Sequence, residues 1–244
     1  MSVLILGATS PIAHAVAARY AGEGKSVAIA ARSLEEAERI ASDLAVRYQV
    51  ETRALAFDAL DFDGHGAFVE SVEAELGAIE VALLAFGDMG HDPQHQEGFG
   101  EAHRVIDVNY TGAVSVAERL AGAMAAHGRG CIIGIASVAG DRGRASNYIY
   151  GSAKGAFALY LQGLRNRLFA DGVHVMTVKL GFVDTRMTWG MKTKIPVASP
   201  DAVAGAIVGA ARHKLNTFYY PPFWAGIMGV IKAIPEEVFK RLSL

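Results

Sequence analysis

The run Val3-Leu4-Ile5-Leu6 ends on Gly7, and the residues from Pro11 onward carry helical period. A buried-type strand, a glycine turn and a helix in immediate succession commit the chain to an α/β fold with the turn at the strand's carboxyl end. The same alternation then continues to residue 220. Apolar, branched runs predict strands at 2–6, 26–31, 51–57, 79–86, 130–136, 173–180 and 217–220. Helices are predicted at 11–21, 34–48, 62–76, 99–127, 147–170 and 200–213, the last opened by Ser199 as N-cap and Pro200 as first helical residue. Seven strands with crossover helices predict a doubly wound, seven-stranded parallel sheet with helices on both faces. Its ligand crevice lies at the carboxyl ends of the strands.

At 244 residues with 52% hydrophobic content, the chain suits one α/β domain with a sizeable core. The 23 basic and 25 acidic residues leave a net charge of −2 without a basic cluster, which argues against nucleic acid as a partner. A lone cysteine, Cys131, in an apolar run fits a reducing compartment. No apolar stretch approaches the ~20 residues that span a bilayer, and no basic leader precedes the first apolar run. The expectation is a cytoplasmic protein without a membrane span, with peripheral membrane contact left open for the tail. His91 and His95 have metal-like spacing but flank Asp92-Pro93 in a loop and lack a third ligand, so no metal site is expected. Asp61 and Asp63 read as the start of the third helix, where carboxylates suit the dipole.

The first turn reads Gly7-Ala-Thr-Ser-Pro-Ile-Ala13. Backbone N–H groups near Ser10 and Ile12, at the positive end of a helix dipole, favour a phosphate. Strand two ends Ala30-Ala31-Arg32-Ser33, where an acidic residue would accept from the ribose hydroxyls of NAD. The acid is absent, and Arg32 is placed to pair with the 2′-phosphate of NADP. The alternative is a solvated arginine at a helix start.

Tyr150 and Lys154 stand four apart on a predicted helix and share a face. An ammonium beside a phenol favours phenolate, so the expectation is a tyrosine pKa lowered toward neutrality for acid/base work. Ser137, thirteen residues upstream, closes strand five at the sheet's carboxyl edge and is placed to donate to the same substrate oxygen. Tyr148 has Ser152 rather than lysine four residues on, and is assigned to shaping the pocket.

In this order and spacing, the glycine turn, Asn109, Ser137 and Tyr150-Gly-Ser-Ala-Lys154 resemble the short-chain dehydrogenase/reductase family, over residues 2–220. The resemblance implies a Rossmann-type fold and an oxidoreductase with Asn109, Ser137, Tyr150 and Lys154 as its catalytic set. It implies that Asn109 kinks its helix and holds a water leading to Lys154. Ser137 would orient a carbonyl, Tyr150 protonate its oxygen, and Lys154 depress the tyrosine pKa and bond the nicotinamide ribose. Gly7, Ser10, Ile12, Arg32, Asp58, Tyr150, Lys154 and Thr185 would hold NADP, with Asp58 at the adenine and Thr185 at the nicotinamide carboxamide. Pairing of the helices at 99–127 and 147–170 across an axis would give a homodimer or homotetramer. Three departures stand out: Pro11 and Ala13 replace glycines, Leu84-Ala-Phe-Gly87 replaces Asn-Asn-Ala-Gly, and Leu180 replaces a proline. Short segments, among them Ala85-Phe86-Gly87 and the tail, resemble polyprenyl-phosphoryl keto-pentose reductases within the family.

Two regions remain for the substrate. The segment 181–199 carries Met187, Trp189 and Met191, which suit the inner side of a lid or packing beneath a loop. The apolar extension 221–244 is expected to end in a short helix after Pro235. Together these predict an NADP-preferring reductase that interconverts a ketone and a secondary alcohol, on an apolar or lipid-linked carbonyl substrate. The rival expectation is a catalytically silent NADP sensor or scaffold on the same fold.

Overall fold

The computed structural model describes residues 2–90, 99–190 and 195–242. Seven parallel strands form one sheet in the order β3-β2-β1-β4-β5-β6-β7. They are β1 (Ser2–Leu6), β2 (Ser26–Ala31), β3 (Thr52–Ala56), β4 (Ile79–Leu84), β5 (Gly130–Ser137), β6 (Val173–Leu180) and β7 (Thr217–Tyr220). Strand order reverses between β1 and β4, so a crevice opens there at the carboxyl edge.

Strand alternation sorts the core into two layers. Val3 and Ile5 face helices α1 (Pro11–Gly22), α2 (Leu34–Tyr48) and α7 (Pro200–Arg212), packing on Val16, Leu44 and Ile207. Leu4 and Leu6 face α3 (His65–Leu76), α5 (Gly112–His127) and α6 (Tyr148–Leu168), packing on Val72, Leu120 and Phe157. All of these side chains are buried, and both faces of the sheet are covered, as parallel sheets require. The α7 start is capped as its sequence predicts: Ser199 Oγ accepts from Ala202 N at 3.2 Å, with Pro200 next.

Most element ends fall within two residues of the sequence expectation, and three differences are larger. The helix expected at 99–127 divides into α4 (Phe99–Ile106), a π-turn at Asp107–Thr111, and α5. Gly112 N donates to Asp107 O there, five residues back. Helix α3 begins at His65 rather than residue 62, because turns closed by Asp61 N to Asp58 O and Gly64 N to Asp61 O, each 3.2 Å, use up residues 58–64. Asp61 therefore sits in that turn, its Oδ1 accepting from Gly64 N. Beyond β7, residues expected only as an apolar tail form α8 (Phe223–Ala233), followed by the short α9 (Glu236–Phe239). The two glycines and all-apolar face of α8 hid it from a periodicity argument. No described helix is long and apolar enough to cross a membrane.

Candidate active site

The turn after β1 is set by Gly7, whose φ of +79° and close approach to the Phe86 backbone exclude a side chain. A Cβ there would lie 2.7 Å from Phe86 N. Gly7 N and Ala8 N both donate to Ala30 O, at 3.0 and 3.1 Å, which ties the turn to β2. The first backbone bond into α1 runs from His14 N to Ser10 O at 2.9 Å. The Ser10 hydroxyl makes no cap bond, and Pro11 has no N–H to satisfy. The N–H groups of Ile12 and Ala13 are left as the free donors of this helix end. The cradle fits a phosphate group. Arg32 and Asp58 stand exposed at the ends of β2 and β3. Arg32 forms no ion pair among the described residues. Asp58 Oδ1 accepts from Leu60 N at 3.0 Å.

Asn109, Ser137, Tyr150 and Lys154 come from three elements and meet at the carboxyl edge beside this turn. The π-turn frees the Val105 carbonyl, and Asn109 Nδ2 donates to it at 2.7 Å and also to the Asp88 carbonyl. Asn109 Oδ1 accepts from Asp88 N at 3.2 Å, so the buried amide staples the loop after β4 to the π-turn. Gly87 lies where Asn109 and Lys154 converge: a Cβ on it would be 2.8 Å from Asn109 Oδ1 and 3.3 Å from Lys154 Nζ. The Lys154 ammonium donates to Ile135 O at 3.1 Å and lies 5.9 Å from the Tyr150 ring centre. Ser137 Oγ accepts from Ala139 N at 3.1 Å and donates to Leu180 O at 3.5 Å, close enough to the Tyr150 phenol to influence its titration.

Burial governs the titration of this pair. Tyr150 is pushed up to about 12 by burial, against the opposing pull of its Ser137 hydrogen bond. Burial pushes Lys154 down to about 8. The expected lowering of the tyrosine toward neutrality is therefore not found, and burial moves it the other way. Both groups are nearly inaccessible, at 8% and 4% exposure, and burial disfavours phenolate and ammonium alike. At neutral pH the phenol holds its proton.

The substrate-side expectations spread more widely. Tyr148 opens α6 half-exposed. Met187 is exposed, and Trp189, 88% exposed, walls a cavity of about 360 Å³ with Phe182, Asp184 and Val197. Met191, like His91 and His95, lies outside the described residues. Thr185 caps a short 3₁₀ turn (Arg186–Thr188), its N–H donating to Thr188 Oγ1 at 3.3 Å. Closer to Ser137, Val138 packs with Trp224 and Met228 of α8 and with Phe182. The α8–α9 segment is fastened by Arg142, whose guanidinium reaches Glu236 at 2.6 Å and Lys232 O at 3.3 Å. It also covers the Phe239 ring at 4.2 Å.

Residues 1–195 match the family model described as short chain dehydrogenase. The chain belongs to the short-chain dehydrogenase/reductase family. Relatives include an uncharacterized oxidoreductase of Mycobacterium tuberculosis, 32% identical over 98% of this chain and 96% of its own. Another from Streptomyces coelicolor is 34% identical over 99% and 95%. Among solved structures, a short-chain dehydrogenase from Sphingobium yanoikuyae in complex with NADPH superposes with a TM-score of 0.82 at 25% identity. It covers 96% of each chain. An alcohol dehydrogenase from Thermococcus sibiricus shares the fold, with a TM-score of 0.78 at 22% identity over 89% of this chain and 94% of its own.

As a short-chain dehydrogenase/reductase, the chain fills its departures with packing. Ala13 is fully buried under the first core layer. Leu84 and Ala85 take the places of the amides, and the neighbouring Phe86 packs tilted at 5.4 Å against Phe57, which in turn meets Phe68 at 5.0 Å and His65 at 5.2 Å. His65 and Trp224 carry contacts that sequence reasoning missed. A single histidine before a helix and a tryptophan in an apolar tail give no spacing signal.

Proposed function

We propose that this protein is an NADP-preferring oxidoreductase that interconverts a ketone and a secondary alcohol, working as a reductase of an apolar or lipid-linked carbonyl compound. The observation that carries the reading is the buried Tyr150 phenol, placed beside Ser137 and sharing a helix face with Lys154. A nicotinamide coenzyme, when bound, would supply the hydride for the carbonyl carbon. Tyr150 gives its proton to the carbonyl oxygen, which completes the alcohol. Ser137 donates to the same oxygen and strengthens as charge develops there. The Lys154 ammonium stabilises the phenolate left behind, and Asn109 keeps the π-turn and the loop after β4 in register. A phenol protonated at neutral pH suits the reductive direction, in which it starts as the acid.

The cofactor assignment rests on the turn's free donors and on the exposed Arg32. Gly7, Ser10 and Ile12 would hold the pyrophosphate, Arg32 the 2′-phosphate, Asp58 the adenine, and Thr185 the carboxamide. Lys154 would bond the nicotinamide ribose. NADPH in the Sphingobium yanoikuyae relative supports a nicotinamide cofactor. Tyr148, Met187, Trp189 and Met191 would face substrate, with 181–199 acting as lid and 221–244 as an outer wall. Exposed Leu159 and Phe169 on the outer side of α6 and at its end suit assembly into a homodimer or homotetramer.

A silent NADP sensor is the second reading, favoured by Pro11 and by the departures at Leu84–Phe86, where two amides are lost. NADPH oxidation against a panel of ketones, including prenyl-linked keto-sugars, separates the two. Turnover of any member supports the enzyme; NADPH binding with no turnover across the panel supports the sensor.

A further inference from the structure

His65 is the first residue of α3, where side chains commonly face water, yet it is only 1% exposed. Its ring makes two hydrogen bonds that join three elements. Nε2 lies 3.0 Å from the Asp58 carbonyl oxygen, and Nδ1 lies 2.9 Å from Ser115 Oγ on α5. A carbonyl only accepts, so Nε2 carries the hydrogen, and in the neutral ring Nδ1 then accepts from the Ser115 hydroxyl. The ring also stacks on Phe57 at 5.2 Å and 19°. Phe57 leads through Phe86 to the Gly7 turn.

The main chain of Asp58 is held from inside, while its carboxylate faces outward. One carboxylate oxygen is taken by Leu60 N and the residue stays exposed, so it remains available to a ligand. The adjoining Ala59 carbonyl packs against Gly112, the first residue of α5. Helix α5 continues directly from the π-turn that carries Asn109. One buried ring thus anchors the Asp58 turn to the N-terminal end of α5, the end that continues from the π-turn carrying the candidate catalytic amide.

We propose that His65 is a positioning residue for the nucleotide: it fixes the Asp58 turn against α5 and so presents the Asp58 carboxylate to the adenine end of the cofactor. The proposal rests on the reading of Asp58 as an adenine-side residue. A purely structural role would need only the stacking and the tie to Ser115. The bond to the Asp58 main chain is the part that acts on a ligand.

The test is NADPH affinity by isothermal titration calorimetry on the full-length protein, with steady-state kinetics alongside. His65→Phe keeps the ring and its stack but loses both bonds, and is expected to weaken NADPH about five- to tenfold. Its kcat at saturating NADPH should stay within about twofold, so the loss appears in KM. His65→Gln returns an N–H near the Nε2 position and should recover most of the affinity. Ser115→Ala, a milder change that leaves the histidine in place, is expected to weaken NADPH about two- to threefold. The double variant Asp58→Ala/His65→Phe should bind no more weakly than Asp58→Ala alone. Unchanged affinity in both His65→Phe and Ser115→Ala would overturn the proposal. So would a His65→Phe loss that adds in full on top of Asp58→Ala. If Asp58→Ala itself leaves NADPH affinity unchanged, the adenine-side reading fails and takes the proposal with it.

Discussion

Lys154 Nζ lies 3.1 Å from the carbonyl oxygen of Ile135, so the charge buried in the site is held by the backbone of β5. That arrangement leaves the ammonium dependent on a neutral acceptor, and burial moves its pKa from 10.5 down to about 8. The consequence for stability has a definite sign. Below pH 8 folded and unfolded chains both carry the proton, and the cost of burying the charge is constant. Between pH 8 and 10.5 the unfolded chain holds a proton that the folded one has released, so stability rises with pH. Relative to Lys154→Met, the wild type should gain on the order of 1–3 kcal/mol across that window. Urea denaturation of both proteins at pH 7, 8, 9 and 10 measures the difference; a flat difference contradicts the buried ammonium.

Arg32 stands at the end of β2 with no ion pair among the described residues, free to meet a phosphate. Charge-assisted arginine–phosphate bonds are strong, so Arg32→Ala should weaken NADPH ~10-fold or more and change NADH little. Calorimetric titration with both cofactors decides it. Equal loss for the two would remove Arg32 from the 2′-phosphate role.

Gly181 follows β6, and a Cβ there would collide with the indole nitrogen of Trp224. The backbone itself tolerates alanine, so the effect of Gly181→Ala is steric. Trp224 is 3% exposed and packs on Val138 beside Ser137, and shifting it costs about 1–3 kcal/mol. The expected outcome is a lower melting temperature and faster proteolysis within 221–242, where α8 loses its seat. Unaltered proteolysis would show that α8 is held without the tryptophan.

Strand alternation, the Ser199-Pro200 helix start and the seven-strand sheet were legible in the chain because each depends on local period and capping. The Tyr150–Lys154 pair was legible for the same reason, since four residues on a helix fix a shared face. Three features were not. The π-turn at Asp107–Thr111, implied only by the family resemblance as a kink at Asn109, depends on Asn109 meeting the Asp88 main chain, a contact between distant segments. The balance of burial over charge at Tyr150 is a property of packing, invisible to spacing. The seat of α8 rests on Trp224 packing against Val138 and on Arg142 reaching the Lys232 carbonyl, 90 residues away.

The central claim is that Tyr150 protonates the substrate carbonyl. Its most direct test is NADPH oxidation by Tyr150→Phe, with a ketone the wild type reduces and with cofactor binding measured in parallel. In that variant kcat should fall by about 10²–10⁴-fold while NADPH affinity stays within a few-fold. Turnover surviving near the wild-type rate in a protein that still binds NADPH would contradict it.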